Sequence, residues 1–322
     1  MQIGLDSYSY RYAAGIWGWQ PAQPLTPEGY LRRAQELGLA GVQFADLGHF
    51  VSLETPYLTA LRRQADEAGL YLELGTGGTD PAHLGGALRA AADLGSPVLR
   101  TFAGGFRWEA ETTGAALVER AARDLREVAP VAQRLGVRVA LENHLDLRAE
   151  EMLDLLRRVG SEYVGICLDT GNPYGLLEDP LAAAQALAPY TFTTHLKEFR
   201  VVLRRGGLVL RGVALGRGDV PNLEIVEELR RHAPLGEDLH LNVETAVERV
   251  VVPVLRGDFT SGALGIGPGD LLTVLRRLDL DRPCSSEDLA PPEELGQTAE
   301  EVLAGEHAQV AASTAWALER FG

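Results

Sequence analysis

Lysine is nearly missing from this 322-residue chain: Lys197 stands alone against 29 arginines. The bias itself carries no mechanism, but the exception is conspicuous, because a planar guanidinium does not replace a compact ammonium on a flexible stem. Cysteine is scarce as well. Cys167 and Cys284 are neither paired by spacing nor part of a Cys-x-x-Cys, which fits a reduced, cytoplasmic setting. No apolar run approaches the roughly 20 residues of a membrane span. Met1–Asp6 lacks the basic-then-apolar order of a signal peptide, so no membrane partner is expected. No Gly-x-Gly-x-x-Gly follows a strand-like run, which weakens a dinucleotide-binding fold. Positive charge is in the minority, and the net charge of −15 repels phosphate backbones, so nucleic acid is not an expected partner.

What is present is an apolar fraction of 46%, enough for a large core, and a repeating pattern. Short apolar runs alternate with amphipathic stretches over Gln2–Tyr8, Gly41–Ala45, Leu70–Leu74, Val98–Phe102, Val137–Leu141, Tyr163–Leu168, Tyr190–Thr194 and Leu239–Val243. Helices open on signals such as Thr26-Pro27, Asp80-Pro81 and Asp179-Pro180, and close on glycines such as Gly38, Gly69 and Gly136. Parallel strands need crossover helices, so eight such repeats predict an α/β fold, a (β/α)8 TIM barrel over 1–280. Residues 281–322 are expected to form a helical C-terminal extension whose apolar residues suit packing on the barrel or a homodimer. Two long connections stand out, one with a hairpin-like Val201–Leu210 and one carrying Val250–Leu255, and long loops on a barrel rim commonly form lids or substrate walls.

Four predicted strands end on a group able to hold a metal: Glu142, Asp169, His195 and Glu244. In a parallel barrel all carboxyl ends open on one face, so these four are expected to converge there. Three carboxylates and an imidazole suit one divalent ion, Mn²⁺, Mg²⁺ or Co²⁺ before Zn²⁺, with open positions for substrate oxygens. Such an ion polarises a carbonyl and favours loss of the neighbouring proton. Glu142 and Glu244, on different sides of the mouth, are then the natural proton-transfer pair.

The local words Leu141-Glu-Asn-His144, Leu168-Asp-Thr-Gly-Asn172, Thr194-His-Leu-Lys-Glu198, Leu215-Gly-Arg-Gly-Asp219 and Asn242-Val-Glu-Thr245 occur in order. Through them the chain resembles the sugar phosphate isomerase/epimerase family, the xylose-isomerase-like TIM barrels, over about residues 1–280. The resemblance implies one divalent cation held at Glu142, Asp169, His195 and Glu244, a carbohydrate substrate, and substrate contacts near His144, Asn172, Lys197 and Arg217. The function it implies is a metal-dependent isomerase or epimerase of sugars or sugar derivatives. A dehydratase or β-eliminating lyase on a keto-sugar or 3-keto-glycoside needs the same first step. A three-zinc nuclease of the endonuclease IV type requires a histidine where Asn172 stands, and a non-catalytic sugar-binding barrel would not need both glutamates. Softer candidates are Trp17 and Trp19 as an apolar wall for substrate, His49 and Glu73 as contacts, and Arg100 as an anion binder or a partner of Glu73. Lys197→Arg is expected to lower turnover while leaving stability nearly unchanged, as for an exposed side chain.

Overall fold

The computed structural model describes residues 1–16, 19–109, 113–260 and 265–322. Eleven strands are present among them: β1 Gln2–Asp6, β2 Gly41–Phe44, β3 Tyr71–Gly75, β4 Val98–Thr101, β5 Arg138–Glu142, β6 Val164–Asp169, β7 Thr191–Leu196, β8 Phe199–Arg204, β9 Gly207–Gly212, β10 His240–Val243 and β11 Arg249–Val252. Eight close into a parallel barrel in the order β1-β10-β7-β6-β5-β4-β3-β2. The expected hairpin forms from β8 and β9, and β11 joins it in an antiparallel sheet ordered β11-β9-β8. The predicted (β/α)8 barrel is therefore the observed fold.

Local chemistry explains the crossovers. Thr26, Asp80 and Asp179 cap helices Pro27–Glu36, Pro81–Leu94 and Pro180–Leu187 by accepting backbone N–H groups of the first turn. Gly136 ends helix Gly114–Leu135 with φ +67°, a left-handed conformation that returns the chain toward β5 without a Cβ penalty. One boundary differs in a way that matters. The first strand stops at Asp6 rather than Tyr8, because the Asp6 carboxylate accepts the Tyr8 N–H at 2.8 Å and starts a tight turn over Ser7–Tyr10.

After β10 the chain makes a long excursion over the barrel mouth, fastened largely by arginines. Arg256 donates to the Trp108 carbonyl, and Arg148 pairs with Asp270 at 2.8 Å. Arg277 then meets Asp179, Arg282 meets Asp219 at 2.9 Å, and Arg11 meets Glu293 at 3.1 Å. The route crosses to the β4 side and returns past the loops that follow β5, β6 and β7.

Helix Ala299–Phe321 closes the wall against β1 and β10. Glu306 accepts the N–H groups of Tyr12 and Ala13, and Ser313 accepts that of Leu215. Val302, Val310, Ala317 and Phe321 are buried, so these apolar residues of the extension pack inside this chain. The extension expected over 281–322 thus contains an outer helix of the barrel. Among the described residues no helix is long and apolar enough to cross a membrane.

Candidate metal centre

Alternation along each strand turns every second side chain into the barrel, and the last inward position of a strand faces the mouth. Glu142 ends β5, Asp169 ends β6, His195 is the penultimate residue of β7, and Glu244 directly follows β10. One ligand atom from each of these four lies within 4.8 Å of all the others. The His195 Nδ1 is 2.8 Å from Glu244 Oε2, 3.6 Å from Glu142 Oε2 and 3.9 Å from Asp169 Oδ2.

Neighbouring groups aim these atoms. The N–H groups of Gly171 and Asn172 both donate to Asp169 Oδ1, which leaves Oδ2 turned to the centre. Asn143 ties the two strand ends together: its Oδ1 accepts the Asp169 N–H at 2.7 Å, and its Nδ2 donates to the Asp169 carbonyl at 2.9 Å. The His195 Nε2 lies 2.5 Å from Gln43 Oε1, so Nδ1 is the ring nitrogen that faces the carboxylates.

Three buried atoms at the centre, Asp169 Oδ2, His195 Nδ1 and Glu244 Oε2, lack a well-formed hydrogen bond and meet only at ion-pair distance, Lys197 Nζ lying 2.8 Å from Asp169 Oδ2 and His195 Nδ1 2.8 Å from Glu244 Oε2. Buried polar groups in folded proteins are nearly always hydrogen-bonded, so three such atoms converging on one point make this a candidate ligand site. Charge supports the same conclusion. Four buried carboxylates, Asp6, Glu142, Asp169 and Glu244, face two permanent cations, Arg100 and Lys197. At about 4 Å and an effective dielectric near 20, each like-charge pair costs about 4 kcal/mol. A divalent cation would balance that excess, and oxygen-dominated donors with one imidazole suit it.

The acid strengths follow the same electrostatics. Burial opposes the charge on Glu142, yet Arg100 and His195 outweigh it and hold the carboxyl well below its usual range. Burial likewise opposes Glu244, but Lys197 and His195 bring it down to about 2. Asp169 goes the other way. Burial raises it to about 6, with Lys197 only partly offsetting and Glu244 and Glu142 adding repulsion.

A cavity of about 660 Å³, within the range of small-molecule sites, is lined by Glu142 and Glu244 of the four residues. Of the expected substrate contacts, His144, Asn172 and Lys197 line it. His144 stacks on Phe102 with ring centroids 4.7 Å apart, and its Nδ1 is buried and unpartnered. Asn172 Nδ2 donates to Glu142 Oε1 at 3.1 Å. Lys197 is buried, not exposed, with Nζ at 2.8 Å from Asp169 Oδ2 and 3.0 Å from Glu244 Oε1.

Other expectations need correction. Arg217 is exposed and does not line the cavity: the hairpin carries its turn outward, where Gly216 lies against Trp316 of the final helix. Trp17 lies outside the described residues. Trp19 packs edge-on against Tyr12 at 5.2 Å and is not part of the cavity wall. His49 does line the cavity, bonded to Ser7 Oγ at 3.0 Å. Glu73 sits below the site, paired with His240 at 2.6 Å, and so neither contacts the cavity nor partners Arg100. The guanidinium of Arg100 instead grips Glu142, with Nε 2.5 Å from Oε2 and a second contact through Nη2.

Sequence reasoning passed over Asp6. Its side chain is fully buried, lines the cavity, and leaves Oδ2 unpartnered 3.7 Å from His195 Nε2. The signal was there, a carboxylate at a strand end, but hidden by placing that end two residues late.

Comparison with known proteins gives a consistent fold. Residues 31–250 match the model of the xylose isomerase-like TIM barrel family. A 3-oxo-isoapionate decarboxylase from Pectobacterium atrosepticum is 28% identical over 220 residues, 68% of this chain and 77% of that protein. Among solved structures, a D-psicose 3-epimerase studied in the presence of D-fructose superposes with TM-score 0.63 at 17% identity, all of each chain being covered. The IolI protein with a bound zinc atom superposes with TM-score 0.59 at 12% identity, again over all of each chain.

Proposed function

The chain belongs to the xylose isomerase-like TIM barrel family, and from that premise we propose a divalent-metal-dependent isomerase or epimerase of a sugar or sugar derivative, acting by proton transfer beside a carbonyl. The observation that carries this reading is the convergence of Glu142, Asp169, His195 and Glu244 within 4.8 Å, three of their buried ligand atoms lacking a well-formed hydrogen bond, beside a substrate-sized cavity that Glu142 and Glu244 line. The likeness in fold to a D-psicose 3-epimerase and to the zinc-bound IolI protein is compatible with it. Mn²⁺, Mg²⁺, Co²⁺ and Zn²⁺ all suit the donors.

A bound divalent ion would polarise a hydroxy-carbonyl chelated through two neighbouring oxygens and stabilise the charge left when the adjacent C–H is deprotonated. The rest is done by this chain. Glu142 and Glu244 are separated around the rim by β6 and β7, so they reach the substrate carbon from different sides; one removes the proton and the other returns one. Lys197 favours the ionised form of Glu244, partly offsets the burial of Asp169, and presents an ammonium to the substrate's oxygens. Asn172 and His144 offer hydrogen-bonding groups on the β5–β6 side, while Phe102, Phe106 and Leu145 exclude water.

A second reading, a decarboxylase or β-eliminating lyase, is favoured by one feature. Arg100 and Asn172 engage both oxygens of Glu142, which weakens it as a base. Loss of a carboxylate or of a β-leaving group needs only one proton-transfer group, and the 28% identical relative is a decarboxylase. The two readings separate in D₂O with candidate keto-sugars and 3-oxo acids. Epimerisation gives an inverted product carrying deuterium at the reacting carbon, whereas decarboxylation releases CO₂ and elimination releases the leaving group. Glu244→Gln should cut deuterium incorporation in epimerisation or decarboxylation, or release of the leaving group in elimination, by about 10²-fold or more; an unchanged rate in the branch observed would remove Glu244 from the mechanism.

A further inference from the structure

Below the metal ligands a second polar cluster fills the barrel. Glu73 from β3 accepts hydrogen bonds at Oε2 from Gln43 Nε2 at 2.6 Å, Thr193 Oγ1 at 2.6 Å and Asn242 Nδ2 at 3.1 Å. Its Oε1 meets His240 Nδ1 at 2.6 Å. Asn242 Oδ1 accepts from the Tyr71 hydroxyl at 2.7 Å, and the Tyr71 and His240 rings stack at 3.6 Å. Gln43, Glu73, Thr193 and Asn242 are all fully buried.

The direction of each bond follows from what each group is able to do. Despite its burial, Glu73 has its pKa lowered by His240, Thr193 and Gln43, so it accepts and does not donate. The end of Gln43 that faces Glu73 must then be the amide NH₂, and the carbonyl end faces His195. A carbonyl oxygen only accepts, so the His195 nitrogen beside it, Nε2, must carry a proton. In the neutral imidazole the lone pair is then on Nδ1, the atom turned toward Glu142, Asp169 and Glu244.

We infer that Gln43 and Glu73 are positioning residues that fix the tautomer of His195, so that the neutral ring carries its free lone pair on the metal-facing nitrogen. Glu73 does not touch the four residues of the centre, and Gln43 reaches only the far ring nitrogen of His195. The inference rests on the metal-site reading above. Glutamine is essential to it because it transmits direction: an acceptor at Glu73 becomes an acceptor at Gln43 Oε1 one side chain further on. Replacing the carboxylate of Glu73 with an amide lets Gln43 turn over and offer an N–H to His195, which moves the ring proton to Nδ1 and blocks coordination.

Titration of the metal-free full chain with Mn²⁺, reading free ion by electron paramagnetic resonance, tests this. Glu73→Gln, nearly isosteric and remote from the ion, should weaken Mn²⁺ binding about 10- to 100-fold, the usual effect of losing the partner of a ligating histidine. The double variant Gln43→Glu/Glu73→Gln should regain most of it, since the carboxylate introduced at position 43 would accept from Nε2–H while the amide at position 73 donates. A merely structural role predicts no such recovery. Wild-type affinity in a folded Glu73→Gln, checked by circular dichroism, would overturn the inference. Should that variant not fold, nitrogen-15 spectra of the zinc-loaded wild type decide: a His195 proton on Nε2 supports the relay, and one on Nδ1 overturns it. Failure of the wild type to bind any divalent ion would instead sink the metal reading, an outcome told apart because the parent protein itself is silent.

Discussion

The barrel holds two buried carboxylate–histidine clusters, one above the other, and they are chemically alike but energetically opposite. In the lower one, the Glu73 oxygens accept four hydrogen bonds or contacts and no atom of the side chain is left over. In the upper one, Asp169, His195 and Glu244 each present a buried atom with no well-formed hydrogen bond, met only at ion-pair distance. Composition does not distinguish them. Satisfaction does: a closed network is part of the protein's framework, while an open one, costly by itself, is a place prepared for something else.

The contrast is broken most severely by removing Glu73. Glu73→Ala strands the amides of Gln43 and Asn242 and the ring of His240 in the interior, and should destabilise the protein by about 3–5 kcal/mol in chemical denaturation. A loss below about 1 kcal/mol would mean that the lower network is not the satisfied framework described.

Metal and pH sharpen the same contrast at somewhat smaller amplitude. A divalent ion at a hundredfold excess over its dissociation constant should stabilise the wild type by about 2.7 kcal/mol, measurable as a rise in melting temperature that EDTA reverses. The metal-free protein should respond to pH in the opposite sense. Asp169 is raised to about 6 by its burial, so the folded state keeps a proton that the unfolded chain releases near pH 4. Its contribution is complete below about pH 4 and is lost as pH rises through 6, on the order of 3 kcal/mol. Glu73, whose pKa is lowered, contributes above its unfolded pKa and loses that contribution on acidification. Saturating Mn²⁺ should turn the upper cluster around, because ligation requires deprotonated carboxylates, so stability then rises with pH over the same interval. Parallel pH profiles with and without metal would show that no ion occupies the four-residue centre.

The convergence of Glu142, Asp169, His195 and Glu244 was legible in the chain because a barrel converts a one-dimensional rule, a carboxylate or imidazole ending an apolar run, into a three-dimensional meeting point. The same rule missed Asp6 only through the misplaced end of the first strand. The partner of Arg100 was not legible, for a different reason. In register, Arg100 lies level with Gly75 on β3 and Ala140 on β5. Glu73 is then two residues below it and Glu142 two residues above, and strand stagger, which no periodicity reveals, sends the guanidinium upward. Lys197 illustrates a third limit. A lone lysine signalled importance, but its burial between Asp169 and Glu244 became visible only when β6, β7 and β10 were side by side. The expectation that Lys197→Arg leaves stability nearly unchanged therefore fails its premise, since overpacking a buried site commonly costs about 1–3 kcal/mol.

The smallest effect is expected where the family-like words pointed and the fold did not follow. Arg217 sits in a motif that accompanies the metal ligands in sequence, yet the chain between β9 and the following helix holds it on the outside. Gly216 N–H and Val220 N–H both donate to Glu198, Asp219 N–H donates to the Phe199 carbonyl, and Trp316 lies against Gly216. For Arg217 to reach the cavity, those bonds and the packing of the final helix would have to give way together. Arg217→Ala should accordingly change stability by no more than about 0.5 kcal/mol, as an exposed substitution does, and leave kcat and KM close to wild type. A tenfold rise in KM with stability unchanged would show that the hairpin and its turn swing inward when substrate is bound, and would extend the upper, unsatisfied region beyond the rim.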